Sequence, residues 1–232
     1  MNEVVGAQHE FHDEEYVTGW ATRFAPTPER LALFDAILSE LTRRISPTSR
    51  VVELGIGPGY LADHLLRAMP SIRYYGVDFS GPMLAIAQHR LELHSDRVAY
   101  VQADLVRDRW WTDIHGPIDA IVSTWALHDL GSKADIEVVY ESCAQALRDG
   151  GMLLNGDFIK PDGAKFEYEP GRFEVAKHIA MLRRVGFESA ECLAVFEEEL
   201  ESPTAAQNYA CLRGLACERR PPESDTQRVS RT

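Results

Sequence analysis

Cysteine is scarce in this 232-residue chain, and its four copies, Cys143, Cys192, Cys211 and Cys217, form no C-x-x-C pair and no zinc-ligand spacing. That excludes a disulfide framework and a cysteine-built metal site, and leaves reduced thiols in a cytoplasmic protein as the expectation. No apolar run reaches membrane-spanning length, and Met1 to Glu15 lacks a basic stretch followed by an apolar one, so neither a membrane span nor a secretory leader is expected. Basic side chains are also in short supply. With 24 of them against 36 acidic ones, the formal charge is −12, which disfavours a phosphate backbone as partner. There is no internal repeat. There is no G-x-G-x-x-G turn and no Tyr-x-x-x-Lys pair, so nicotinamide-dependent hydride transfer has no visible apparatus.

The rest of the chain reads as one α/β domain with a core of ordinary apolar content, 45%. Thr27-Pro28 starts a helix whose apolar positions are Leu31, Phe34, Leu38 and Leu41. Short apolar strands follow at Val51 to Leu54, Arg73 to Val77, Val98 to Val101, Ile118 to Val122 and Met152 to Asn155, separated by helical patterns. A helix from about Phe173 to Val185 leads to strand-like segments near 190–196 and 208–212. Alternation of this kind predicts a doubly wound, Rossmann-like and mostly parallel sheet with helices on both faces. The expected organisation is an N-terminal arm over 1–26, a single domain over 27–214 and a polar, flexible tail over 215–232.

Residues 51 to 60, Val-Val-Glu-Leu-Gly-Ile-Gly-Pro-Gly-Tyr, carry the most chemistry. A buried strand runs into an acid, Glu53, and then Gly55, Gly57 and Gly59 alternate. Such a turn lets a bulky ligand approach the backbone, because glycine has no Cβ and tolerates positive φ. Tyr60 stands where a dinucleotide fold would place its third glycine.

Four segments, in order and at suitable spacing, then carry a resemblance: Glu53 to Gly59, Tyr75-Gly-Val-Asp78 with Pro82-Met83, Gln102-Ala-Asp104, and Leu147-Arg-Asp-Gly-Gly151. Together, over roughly residues 15 to 213, they resemble the class I S-adenosylmethionine-dependent methyltransferases of the small-molecule type. The resemblance implies a seven-stranded sheet whose last strand is antiparallel. It implies S-adenosylmethionine as cofactor, S-adenosylhomocysteine as product and no metal. By the same resemblance the methionine part of the cofactor passes over Gly55, Gly57 and Gly59, and Glu53 lies beneath that loop, orienting it near the cofactor amine. Asp78 accepts from the ribose hydroxyls, whose two donors match its two oxygens. Met83 packs on the adenine face, Asp104 accepts from its amino group with Leu105 beside it, and Phe79, Ser123 and Trp20 complete the cofactor set.

Strand four ends in Ser123-Thr-Trp125-Ala-Leu-His128-Asp129, where the family meets both the methyl group and the acceptor. The Asn/Asp-Pro-Pro-aromatic run of amide and exocyclic-amine methylation is missing, which counts against DNA adenine and protein glutamine as substrates. His128, with Asp129, is the candidate general base; packing at a helix start is the competing role. Tyr16, Trp125, His128 and Phe158 are the candidate acceptor contacts. The arm, with Tyr16, Trp20 and Arg23, and the loop Phe158 to Arg172 are candidate lids. Lys160, Lys165 and Arg172 are candidate attractors of an acidic substrate, and one of Trp110 and Trp111 is a candidate pocket wall. The expected activity is methyl transfer to O, N or C of a small, aromatic or carboxylated metabolite by in-line displacement, by a monomer or homodimer. An RNA or protein methyltransferase and a non-catalytic cofactor-binding subunit remain as alternatives.

Overall fold

The computed structural model describes residues 9–217. Seven strands form one sheet: β1 (Arg50–Leu54), β2 (Arg73–Asp78), β3 (Val98–Gln102), β4 (Ile118–Thr124), β5 (Leu147–Phe158), β6 (Phe187–Phe196) and β7 (Tyr209–Ala216). Their order is β3-β2-β1-β4-β5-β7-β6. The strands from β3 to β5 pair in parallel, and β7 inserts antiparallel to both β5 and β6. The chain thus reverses strand order between β1 and β4, the switch point at which open α/β sheets bind ligands beyond their carboxyl ends.

Among the described residues there are six α-helices, α1 (Glu14–Arg23) in the arm and, on the two faces, α2 (Pro28–Arg44), α3 (Tyr60–Ala68), α4 (Gly81–Arg90), α5 (Lys133–Ala146) and α6 (Val175–Arg184). One core layer joins α2, α3 and α4 to the sheet through residues such as Leu33, Ile37, Leu65 and Val122; the other joins α5 and α6 through Ile136, Val139, Leu153 and Met181. Thr27 caps α2 by accepting the Arg30 N–H, and Pro28 sets its first turn. The buried stripe of α2 is Leu33, Phe34, Ile37 and Leu41, whereas Leu31 is exposed and Leu38 only packs at the margin. The expected stripe was therefore rotated. The rotation brings Glu40 into the interior, where Arg213 of β7 pairs with it, and an ion pair of this kind cannot be read from apolar spacing.

Strand β5 begins at Leu147, five residues before its expected start, because Leu147 already pairs with Ile118, and Gly150, at φ 68°, and Gly151 fall in the bulge between it and Met152. Strand β7 takes in Leu215 and Ala216, two residues of the expected tail; residues 218–232 lie outside the described part. The arm is helical over α1, and it is tied to the domain at two points. Phe11 O accepts the Ser80 hydroxyl at the start of α4, and Ala21 O accepts the Tyr60 hydroxyl at 2.9 Å. Residues 1–8 of the arm lie outside the described part.

Candidate functional site

The carboxyl ends of β1 to β5 and the arm enclose a cavity of about 480 Å³. Its floor is the glycine turn. Gly55 and Ile56 donate their N–H groups to Val77 O at 2.8 and 3.1 Å, and Gly57 donates to Asp78 Oδ2 at 2.9 Å. The turn is held from behind by Arg90, which donates to Pro58 O at 2.7 Å and stacks on Tyr60. Gly55 and Gly57 both have positive φ, 66° and 49°, for different reasons. A Cβ on Gly55 would meet Ala126 Cβ at 2.5 Å, so that glycine serves packing of the β4 loop. A Cβ on Gly57 would meet nothing within 4 Å, so that face of the turn opens onto the cavity.

Three carboxylates line one half of this space. Asp78 is 6% exposed; its second oxygen accepts Ser80 N–H at 2.9 Å, and burial pushes its pKa up to about 6 against the opposing effect of these backbone donors. Each oxygen keeps a lone pair for a ligand hydroxyl. Glu53 is buried deeper, accepts the Tyr74 hydroxyl at 2.7 Å, and is pushed by burial to about 8. Glu53 makes no direct bond to the glycine turn, which is held by hydrogen bonds to Val77 and Asp78. Asp104 uses Oδ1 to accept Val106 and Arg107 N–H at 2.9 and 3.1 Å, closing its own loop, while Oδ2 is 3.8 Å from the Arg107 guanidinium. Phe79, Met83 and Leu105 supply apolar walls beside these acids.

The other half is aromatic and holds the histidine. His128 Nδ1 lies 2.8 Å from Asp157 Oδ1, and the His128 backbone N–H donates to Asp157 Oδ2 at 3.0 Å. Asp157 is 1% exposed and also accepts Phe158 N–H at 2.8 Å, so it is fixed at the end of β5. On the pocket side, His128 Nε2 is 3.2 Å from Asp129 Oδ1. Burial opposes protonation of His128, but the Asp157 carboxylate outweighs it and raises the pKa; burial likewise raises that of Asp129. Trp125 stands beside them at φ 48°, among Phe34, Phe158 and Tyr209.

Of the residues singled out from sequence, Glu53, Gly55, Gly57, Asp78, Phe79, Met83, Asp104, Leu105, Tyr16, Trp20, Trp125, His128, Asp129 and Phe158 line this one cavity. Gly59 does not; it caps α3 at φ 80°. Ser123 does not either: it is fully buried, and its hydroxyl donates to Leu54 O at 2.9 Å, bracing β4 to β1, because inward positions of a central strand face the sheet interior. Trp110 is core and Trp111 packs edge-on against it, so neither walls the cavity. Arg23 is exposed and absent from the lining. Lys160 pairs with Glu174, and Lys165 is exposed away from the cavity. Arg172 lines the cavity but is committed elsewhere, to Glu169 at 2.9 Å, Ala205 O at 2.6 Å and the face of Phe158. These contacts tie the 158–172 loop to residues 205–207, and Phe166 is turned outward. Among the lining or supporting residues that sequence reading missed are Asp157 and Arg30. Asp157 carries no motif, and Arg30 sits in an ordinary helix first turn.

Comparison with known proteins agrees with this geometry. A family described as "Methyltransferase domain" matches residues 51–151. A malonyl-[acyl-carrier protein] O-methyltransferase of Magnetococcus marinus is 31% identical over 45% of this chain and 36% of its own length. A tRNA N(3)-methylcytidine methyltransferase of Drosophila melanogaster is 27% identical over 53% of this chain and 38% of its own length. The chain thus spans well under half of either relative. An N-methyltransferase of Bradyrhizobium japonicum, solved with S-adenosylhomocysteine, superposes with a TM-score of 0.59 at 14% identity, over 84% of this chain and 90% of its own; at that identity the likeness concerns the fold. The family match covers residues 51–151, and the glycine turn, the strand-end acids and a sheet closed by an antiparallel β7 make the chain similar to the S-adenosylmethionine-dependent methyltransferases.

Proposed function

We propose that the protein moves a methyl group from S-adenosylmethionine to an oxygen, nitrogen or carbon of a small molecule, with His128 taking the acceptor's proton. The observation that carries this reading is the single cavity joining the Asp78–Asp104 half to the His128–Asp157 pair. The residues fit the cofactor: Gly57 leaves an open face, Asp78 keeps a lone pair on each oxygen, and Asp104 keeps Oδ2 for an amino group. When bound, S-adenosylmethionine supplies a methyl on a positively charged sulfur that departs with the S–C electron pair as a neutral thioether.

The chain's own contribution is placement and proton transfer. Asp78 and Asp104 would hold the cofactor's ribose and adenine, and Glu53 lies nearest the position for its amine. Alignment of this kind is worth about 7–11 kcal/mol in favourable cases. Asp157 holds His128 Nδ1–H, so that Nε2 faces the cavity as acceptor. A proton taken there passes to Asp129, 3.2 Å away with its side chain 51% exposed, and on to water. The acceptor gains the methyl as it loses this proton, so charge balances.

The aromatic enclosure and the −12 charge support a small acceptor over an RNA, even though a tRNA enzyme is among the relatives. Isothermal titration with S-adenosylhomocysteine, paired with transfer of labelled methyl to metabolite pools and to total tRNA, tests the reading. Micromolar binding that Gly57→Val abolishes, with label in small molecules, is expected. No binding would sink it, and label in tRNA alone would replace the acceptor class.

A further inference from the structure

The acceptor half of the cavity contains a cation that the proposed chemistry does not use. Two arginines line the cavity, and Arg172 is already engaged by Glu169 and by two loop carbonyls. Arg30 makes no side-chain hydrogen bond and no ion pair among the described residues. Its guanidinium instead lies on aromatic faces, 5.0 Å from the ring of Trp125 and 5.5 Å from that of Phe24. The indole N–H of Trp125, in the same stack, is buried and finds no acceptor in the protein. A guanidinium without an acceptor at the edge of this cavity favours an incoming anion.

Position assigns that anion to the acceptor rather than to the cofactor. The cofactor's acids stand at the ends of β1, β2 and β3, whereas Trp125 follows β4 and packs on Phe158 of β5 and Tyr209 of β7. Phe158 in turn meets the His128 ring edge-on, with centroids 4.9 Å apart. Arg30, Trp125, Phe158 and His128 therefore form one continuous wall, cationic at one end and basic at the other, with apolar rings between.

Resting on the methyl-transfer reading above, we propose that the acceptor is an aromatic carboxylate bearing a hydroxyl or amine. Its carboxylate pairs with Arg30, its ring lies against Trp125 and Phe158, and its hydroxyl or amine reaches His128. Arg30 is then a specificity-determining residue, and the fork geometry of its donors matches a carboxylate.

The test uses the full-length protein saturated with S-adenosylhomocysteine, and follows tryptophan fluorescence on titration with hydroxy- and amino-benzoates and -phenylacetates, each beside its methyl ester. At least one acid should bind about tenfold or more tightly than its ester, the effect of a charge-assisted pair. Arg30→Met should erase that preference while leaving S-adenosylhomocysteine affinity unchanged. Equal binding of every acid and ester by the wild-type protein would overturn the proposal, whatever the variant does. So would an Arg30→Met protein that keeps the preference, or one that loses cofactor affinity instead, which would hand Arg30 to the cofactor's own carboxylate. Failure of S-adenosylhomocysteine to bind at all is a separate result and removes the methyl-transfer reading itself.

Discussion

Asp78 faces two demands that conflict. Its oxygens accept the N–H groups of Gly57 and Ser80, which favours the carboxylate, while burial pushes its pKa up to about 6. Bringing ribose hydroxyls to those oxygens would relieve the burial cost, since each adds a donor to the charged form. Asp78→Ala should therefore weaken S-adenosylhomocysteine binding by about 1–3 kcal/mol in calorimetry, and an unchanged Kd would remove Asp78 from the site. A second prediction concerns Asp157 as a positioning residue. Its charge is what raises the pKa of His128, so a base at His128 gains activity as pH rises through that raised value. Asp157→Asn should move the acidic limb of the rate profile to lower pH while cutting kcat by about 10²–10⁴. A profile that keeps its acidic limb would show that His128 does not titrate in the reaction. Asp78 and Asp104 were legible in sequence because strand ends in this topology fix where a carboxylate must stand. Asp157 was not, because its meaning arises only when a residue 29 positions earlier folds back onto it. Arg30 is invisible for the same reason: only its stacking on Trp125 distinguishes it from a solvated helix residue.

Among elements, the first four parallel strands were read nearly in place, because short apolar runs between glycine and proline breaks have few other solutions, whereas β5 was read at a third of its length. The arm was not read as a helix. Its moderate amphipathicity acquires a partner only against the cavity, where Val17 and Ala21 are buried and Trp20 stacks on Phe24 at 4.5 Å. The two ties that hold it differ in consequence. The Ser80 hydroxyl also caps α4 by accepting Met83 N–H at 3.1 Å, so removing it disturbs the domain as well. The Tyr60 hydroxyl does nothing else than bind Ala21 O. Tyr60→Phe should loosen the arm alone, raising the S-adenosylhomocysteine off-rate by the equivalent of one neutral hydrogen bond, about 0.5–1.5 kcal/mol, with the melting temperature of the unliganded protein little changed. Stopped-flow displacement reads the off-rate, and an unaltered value would mean that the arm does not retain the cofactor.

For the whole molecule, buried titratable groups pull stability in opposite directions with pH. His178 is buried against the Tyr140 hydroxyl, and burial lowers its pKa from 6.5 to about 4. Its folded form resists protonation, so the stability it contributes is present above pH 6.5 and is lost as pH falls toward 4, on the order of 3 kcal/mol. His178→Gln should flatten urea-derived stability across that window, and an unchanged slope would contradict the neutral buried imidazole. Glu53 acts in the other sense. Burial raises it from 4.5 to about 8, so the folded state is favoured below 4.5 and loses that advantage as pH rises through 8. A ligand ammonium placed at Glu53 prefers the ionised carboxylate and must expel its proton at any pH below about 8. S-adenosylhomocysteine affinity should accordingly rise between pH 6 and 8, by at most about tenfold per unit, with proton release visible as a dependence of binding heat on buffer ionisation enthalpy. Glu53→Gln should abolish both the slope and the proton release. A wild-type affinity flat over this range would mean that the ammonium binds elsewhere, and that the buried acid beneath the glycine turn serves Tyr74 and the fold alone.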